Sequence, residues 1–312
     1  MLRPYQTRTI DQLYAWFEEG NTGNPCLVLP TGSGKSHIIA ALCKDALQSW
    51  PETRILMLTH VRELILQNAE KMRQHWPNAP MGIYSAGLRQ KELGEPITFA
   101  GIQSVRTKAK QIGHVDLVII DEAHLVSQKA GDAGMYRTFL SKLGELCQFR
   151  TVGMTATPFR GNQVWLTDGD NPLFTGIASR VSMGELLEQK FIAPLVPPAE
   201  KISTRIDASH VGISNGDYKV GELSREVEKY LAKVATEATR IASERKKWIA
   251  FTPSVENAES LSDKLNALGI VSAVVCGETP KQEREDLIRQ FKNHQIHCLV
   301  TVLRSEEHTS EL

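Results

Sequence analysis

The sequence lacks any apolar run near the roughly 18 residues a membrane span requires. Its start, Met1-Leu2-Arg3-Pro4-Tyr5, has no apolar core of the kind a secretory leader carries. A cytoplasmic protein with no membrane partner is therefore expected. Paired cysteines are also missing. Cys26, Cys43, Cys147, Cys276 and Cys298 are odd in number, widely spaced and include no Cys-x-x-Cys. That spacing fits neither a zinc site nor a disulfide framework, and buried free thiols are expected instead. Net charge is absent too, with 36 Lys+Arg against 36 Asp+Glu. This excludes a basic domain that coats nucleic acid by bulk electrostatics, but not a few local backbone contacts in a cleft. No internal repeat or low-complexity segment is visible.

What is present is an ordinary globular composition, 41% hydrophobic and 23% charged, over 312 residues. That length exceeds what one core usually serves, so two domains are expected. The last nine residues, 304–312, share none of the pattern before them and resemble a translated sequencing adapter. They are read as a non-native tail, and the natural chain is expected to continue beyond Leu303.

Up to about residue 180, short apolar runs alternate with amphipathic stretches, which predicts a parallel α/β sheet. Cys26-Leu27-Val28-Leu29 reads as a strand entering a glycine loop, and His37 to Leu47 as the helix after it. Ile55 to Thr59, Ile97 to Ala100, Val115 to Ile120 and Thr151 to Thr155 read as further strands, with a helix over Arg62 to Gln74. Gly161 to Arg180 reads as a surface excursion, and Phe191 to Lys201, with three prolines, as an extended linker. Glu222 to Lys247 has a helical period, and Trp248-Ile249-Ala250-Phe251-Thr252 begins a second α/β series that runs to Leu303.

Two runs carry chemistry. In Thr31-Gly32-Ser33-Gly34-Lys35-Ser36, glycines let backbone N–H groups converge on phosphate oxygens at a helix N-terminus. Lys35 can reach the β- and γ-phosphates of ATP, and the Ser36 hydroxyl can sit on Mg²⁺. Leu29 stands where the general phosphate-loop pattern has its first glycine. Asp121-Glu122-Ala123-His124 closes an apolar strand 121 − 35 = 86 positions after Lys35. Strand ends are where open parallel sheets bind ligands. There Asp121 can hold Mg²⁺ and Glu122 can deprotonate the attacking water.

In register with these runs, the chain resembles the superfamily 2 helicases over roughly residues 2 to 303. The resemblance implies two RecA-like parallel-sheet domains, the second incomplete. These are an ATP-binding domain at 1–190, a linker at 191–221 and a partial C-terminal helicase domain at 222–303. Arg3-Pro4-Tyr5-Gln6 looks like the adenine-reading element, placing Arg3 and Gln6 with Thr31 to Ser36 in the nucleotide site. Thr59-His60-Val61-Arg62 and Gly101-Ile102-Gln103-Ser104-Val105 look like the motifs that grip the sugar-phosphate backbone, assigning Thr59, His60, Arg62, Gln103 and Ser104 to nucleic acid. Thr155-Ala156-Thr157-Pro158 looks like the coupling motif, whose hydroxyls exchange hydrogen bonds with His124. His124 joins Lys35, Asp121 and Glu122 in the catalytic group.

With Phe159-Arg160, the whole looks most like RadD-type DNA repair helicases; motor subunits of restriction enzymes are close relatives. The implied activity is ATP hydrolysis coupled to DNA, single-stranded or branched, with a single-strand-binding protein as a candidate partner. An RNA helicase of the same superfamily, and a phosphate-loop switch with no nucleic-acid partner, are the alternatives. The family's Gln-x-x-Gly-Arg-x-x-Arg run is missing from these residues, so weak ATP turnover is expected of the chain alone.

Overall fold

A computed structural model of the chain describes residues 2–126, 134–160, 164–169, 171–194, 196–197, 201–214 and 217–302. The tail read at 304–312 lies outside the described residues. Contacts divide the chain into two compact units, Met1–Pro194 and Leu195–Leu312.

The first unit opens with α1 (Pro4–Glu18), β1 (Pro25–Val28), α2 (Lys35–Ser49), β2 (Ile55–Thr59), α3 (Arg62–His75), β3 (Met81–Ser85), β4 (Gln90–Lys91) and β5 (Ile97–Gly101). Two short helices, α4 (Ile102–Val105) and α5 (Ala109–Ile112), lead to β6 (Leu117–Asp121), α6 (Met135–Gly144) and β7 (Arg150–Thr155). The hairpin β8 (Phe159–Arg160) and β9 (Val164–Trp165), strand β10 (Gly176–Arg180) and α7 (Met183–Glu188) complete it.

Eight strands form one sheet in the order β10-β1-β7-β6-β2-β5-β3-β4. Every pairing is parallel except β3 with β4. Side chains alternate between the faces of a strand, and the core divides accordingly. Ile55 and Met57 of β2 join α1, α2 and α3 in one cluster, while Leu56 and Leu58 join α4, α5 and α6 in another. A sheet covered on both faces explains why β1, β2 and β5 are buried at every position. Because the strands are parallel, the C-terminal ends of β1, β7, β6, β2 and β5 lie side by side along one edge.

The end of the expected surface excursion is instead strand β10, which pairs with β1 at the sheet's edge. Its apolar signal is faint because a polar residue fills its buried face: Ser179 donates to Gln12 Oε1 at 2.6 Å. Gly176 lies so close to the Trp16 ring that a Cβ there would fall 2.3 Å from it.

The second unit contains the short hairpin β11 (Ile213–Ser214) and β12 (Asp217–Tyr218), then α8 (Val220–Glu228), α9 (Leu231–Ile241), β13 (Trp248–Thr252), α10 (Val255–Ala267), β14 (Ser272–Val275), α11 (Lys281–Lys292) and β15 (Cys298–Val302). Its parallel sheet has the order β13-β15-β14. Val227, Leu231 and Ala235 pack with Ala258, Leu261 and Leu265 of α10 and with Cys298 and Val300. The single helix expected from Glu222 to Lys247 is broken at Tyr230, whose N–H bonds Val227 O three residues back. The break lets α8 and α9 each lie against α10.

Glutamates on these helices fasten the segment that precedes them. Glu237 accepts from Ser203 N at 2.6 Å, Ser203 Oγ at 2.7 Å and Thr204 N at 2.8 Å. Glu222 takes Gly212 N at 2.8 Å. On β13, Ile249 and Phe251 are 59% and 58% exposed, although Thr301 and Val275 beside them on the same face are buried. All five cysteines are free thiols, and no helix among the described residues is long and apolar enough to cross a membrane.

Candidate nucleotide and strand-binding site

The glycine loop turns between β1 and α2 through two left-handed residues, Gly32 (φ 81°) and Gly34 (φ 77°). Gly34 caps α2, so the loop's amides and the first N–H groups of the helix lie where an anion is stabilised. A side chain at Gly34 would be strained by φ and would also bring a Cβ 2.8 Å from Gln6 Nε2. From beneath, the Ser33 carbonyl accepts from Tyr5 OH at 2.6 Å and Gln6 Nε2 at 2.9 Å. Gln6 Oε1 takes Arg3 N at 2.9 Å, so both ends of its amide already brace the loop and the start of α1. The Arg3 guanidinium sits 4.6 Å over the Phe191 ring. Leu29 is buried, and its N–H bonds Thr155 O at 2.8 Å, tying the loop's leading strand to β7. An apolar residue there, rather than glycine, fills core at the root of the loop.

Asp121 ends β6, in register with Met154 of β7. Its carboxylate is 2% exposed and held from two sides. Asn68 Nδ2 donates to Oδ2 at 3.1 Å, and Glu122 N donates to Oδ1 at 3.0 Å. Burial, with the neighbouring Glu122 charge, pushes its pKa up; Lys35 and the donated hydrogen bonds oppose that. Glu122 adopts the left-handed conformation (φ 52°, ψ 53°), which is unfavourable for a residue with a Cβ. The turn delivers its carboxylate 3.0 Å from Lys35 Nζ and 3.4 Å from His124 Nδ1.

His124 Nδ1 also lies 2.9 Å from Thr155 Oγ1, whose own proton goes to Thr157 O at 3.0 Å. With acceptors on both sides, His124 Nδ1 carries the proton. Thr157 N returns to Thr155 Oγ1 at 3.1 Å. A continuous polar path thus runs Lys35–Glu122–His124–Thr155–Thr157. Ser36 is the second residue of α2, half-buried, and Thr31 is exposed on the loop.

The strand-gripping candidates occupy the next two strand ends. Thr59 closes β2 and is buried, its Oγ1 accepting from Val61 N at 3.4 Å. Gln103 Nε2 bonds the His60 carbonyl at 2.9 Å, joining the turns after β2 and β5. Burial lowers the His60 pKa, favouring its neutral form. Arg62 opens α3 with its guanidinium 3.2 Å from Glu63 and exposed to solvent. Ser104 Oγ accepts from Ala86 N at 2.9 Å.

Two participants, Asn68 and Tyr136, lie outside the motifs that the sequence displays as functional, and Tyr5 has a role within the Arg3-Pro4-Tyr5-Gln6 run that the sequence did not assign to it. Tyr5 supports the loop, Asn68 holds Asp121, and Tyr136 on α6 buries a hydroxyl that has no partner among the described residues; burial and the charges of Asp121 and Glu122 push the Tyr136 pKa up. Asn68 had a legible signal: it is a polar residue among Ile65, Ala69 and Met72 on the apolar side of α3.

Residues 1–160 match the family model of the type III restriction enzyme, res subunit, and residues 229–303 that of the helicase conserved C-terminal domain. A 51.5 kDa protein of Lactococcus phage (isolate 7-9) is 27% identical over 274 residues, covering 88% of this chain and 53% of its own. A Schizosaccharomyces pombe protein named as a mitochondrial ATP-dependent helicase, irc3, is 26% identical over 319 residues, 99% of this chain and 50% of its own. The chain thus spans about half the length of these curated relatives. The Pyrococcus furiosus Hef helicase domain shares the fold at TM-score 0.55 and 15% identity, covering 94% of this chain and 85% of that one. Both sheets are accordingly RecA-like. With half its length matched by one family model and most of its second unit by a helicase model, the chain belongs to the type III restriction enzyme res-subunit family, within the superfamily 2 helicases.

Proposed function

We propose that the chain is the nucleotide-binding portion of an ATP-driven DNA motor, a cytoplasmic helicase or translocase of the DNA repair type. The observation that carries this reading is the polar path from Lys35 through Glu122 and His124 to Thr155 and Thr157. It joins the phosphate loop to a third strand end, an arrangement that nucleotide binding alone does not require.

The residues fit a nucleoside triphosphate with Mg²⁺. Two left-handed glycines free the loop amides, the buried Ser33 Oγ has no partner among the described residues, and Glu122 sits 3.0 Å from Lys35 with Asp121 beside it. Ser36 and Asp121 would hold the metal, whose charge neutralises phosphate oxygens when bound. The loop amides and α2 bind the phosphates. Lys35 Nζ shifts from Glu122 Oε1 towards them, leaving Glu122 to take a proton from water. His124 orients Glu122 through its Nδ1–H, and Thr155 registers any movement of that imidazole. Thr59, His60, Arg62, Gln103 and Ser104 would hold a strand by its backbone.

DNA is favoured over RNA by the Asp-Glu-Ala-His and Thr-Ala-Thr-Pro-Phe-Arg runs, which look most like those of RadD-type repair helicases. A single-strand-binding protein is the partner such a motor would meet on its substrate.

An ATPase assay with single-stranded DNA, with RNA and without nucleic acid tests the reading. DNA should stimulate most. Glu122→Gln should lower turnover by about 10² or more while ATP still binds, and Lys35→Ala should weaken binding itself. Equal turnover with DNA, RNA and neither would remove DNA from the proposal.

A further inference from the structure

We propose that Asn68 is a positioning residue for the metal-holding carboxylate Asp121, an inference that rests on the nucleotide-site reading above. Asn68 lies midway along α3, 1% exposed, on the side of the helix that carries Ile65, Ala69 and Met72 into the core. An amide in such a place is costly unless it is hydrogen-bonded, and packing alone would be better served by leucine.

The side chain bonds to the carboxylate, Nδ2 to Asp121 Oδ2 at 3.1 Å, while its buried Oδ1 has no partner among the described residues. A carboxylate only accepts, so the N–H side of the amide must face it. The orientation of Asn68 is therefore set by Asp121 and not by its remaining surroundings. The other oxygen of Asp121 is held by the N–H of Glu122 at 3.0 Å. Two donors from separate elements, α3 and the turn after β6, thus fix the plane of the carboxylate. The backbone donor survives any substitution, whereas the side-chain donor is the removable half of the clamp. Outer partners of a metal-binding carboxylate set its orientation, and their loss typically lowers metal affinity roughly 10- to 100-fold.

The test is a Mg²⁺ titration of the binding of a fluorescent ATP analogue to the full chain, for wild type, Asn68→Leu and Asn68→Ala. The first substitution keeps the volume and the second does not; neither can donate. Circular dichroism melting confirms that each variant is folded. Half-saturating Mg²⁺ is expected to rise roughly 10-fold or more in both variants, with Mg²⁺-free binding within about twofold of wild type. Wild-type Mg²⁺ dependence in either folded variant overturns the assignment, because a packing role disturbs stability and not the metal requirement. A wild-type chain that binds no nucleotide overturns the site reading together with this proposal.

Discussion

Gly34 separates two ways in which one residue serves the phosphate loop. Its φ of 77° and the 2.8 Å approach of Gln6 Nε2 both exclude a side chain. Gly20 has a similar φ of 82° but no atom within 4 Å of the place a Cβ would occupy. Alanine at either position incurs the left-handed strain, about 1–2 kcal/mol. Gly34→Ala should in addition displace Gln6, disturb the Ser33 carbonyl it braces and weaken binding of a fluorescent ATP analogue about tenfold. Gly20→Ala should lower thermal stability and leave that binding intact. Equal binding by the two variants would mean that the Gln6 contact has no part in shaping the loop.

Among the elements, α9 carries a pH-dependent fastening. Hydrogen bonds from Ser203 and Thr204 lower the Glu237 pKa from 4.5 to about 2. A depressed carboxyl pKa stabilises the fold above the unfolded value and loses that contribution as pH falls through the folded one. The hold of α9 on residues 203–204 is thus complete above about pH 4.5 and lost progressively towards pH 2. Acid melts should show this loss in wild type, and Glu237→Gln should flatten that part of the profile.

Elements also mark how far the residues alone could lead. The phosphate loop, the carboxylate turn and Thr155-Ala156-Thr157 were legible because each is a local backbone event, a glycine turn or a strand end, written in consecutive residues. Strand β10 was not, because its buried face is filled by Ser179 and its glycine, Gly176, is fitted to Trp16, a partner 176 − 16 = 160 positions away. The break at Tyr230 was hidden for a similar reason: a helical period continues across it, and only the surface of α10 reveals that two helices share the run. Asn68 holds Asp121 from α3, and Tyr136 on α6 feels the charges of Asp121 and Glu122, so no local motif contains either.

At the scale of the molecule, the two sheets differ in how they are finished. The larger is covered on both faces, while the smaller leaves Ile249 and Phe251 exposed on β13, a strand at its margin among the described residues. Marginal strands with apolar, solvent-facing side chains are templates for pairing with another chain. Handling of the purified protein should therefore depend on its concentration: sedimentation velocity should show reversible self-association that grows with loading. Phe251→Lys should suppress it, leaving the phosphate loop's ligand binding unchanged. A species distribution independent of concentration would show that this face is shielded in solution.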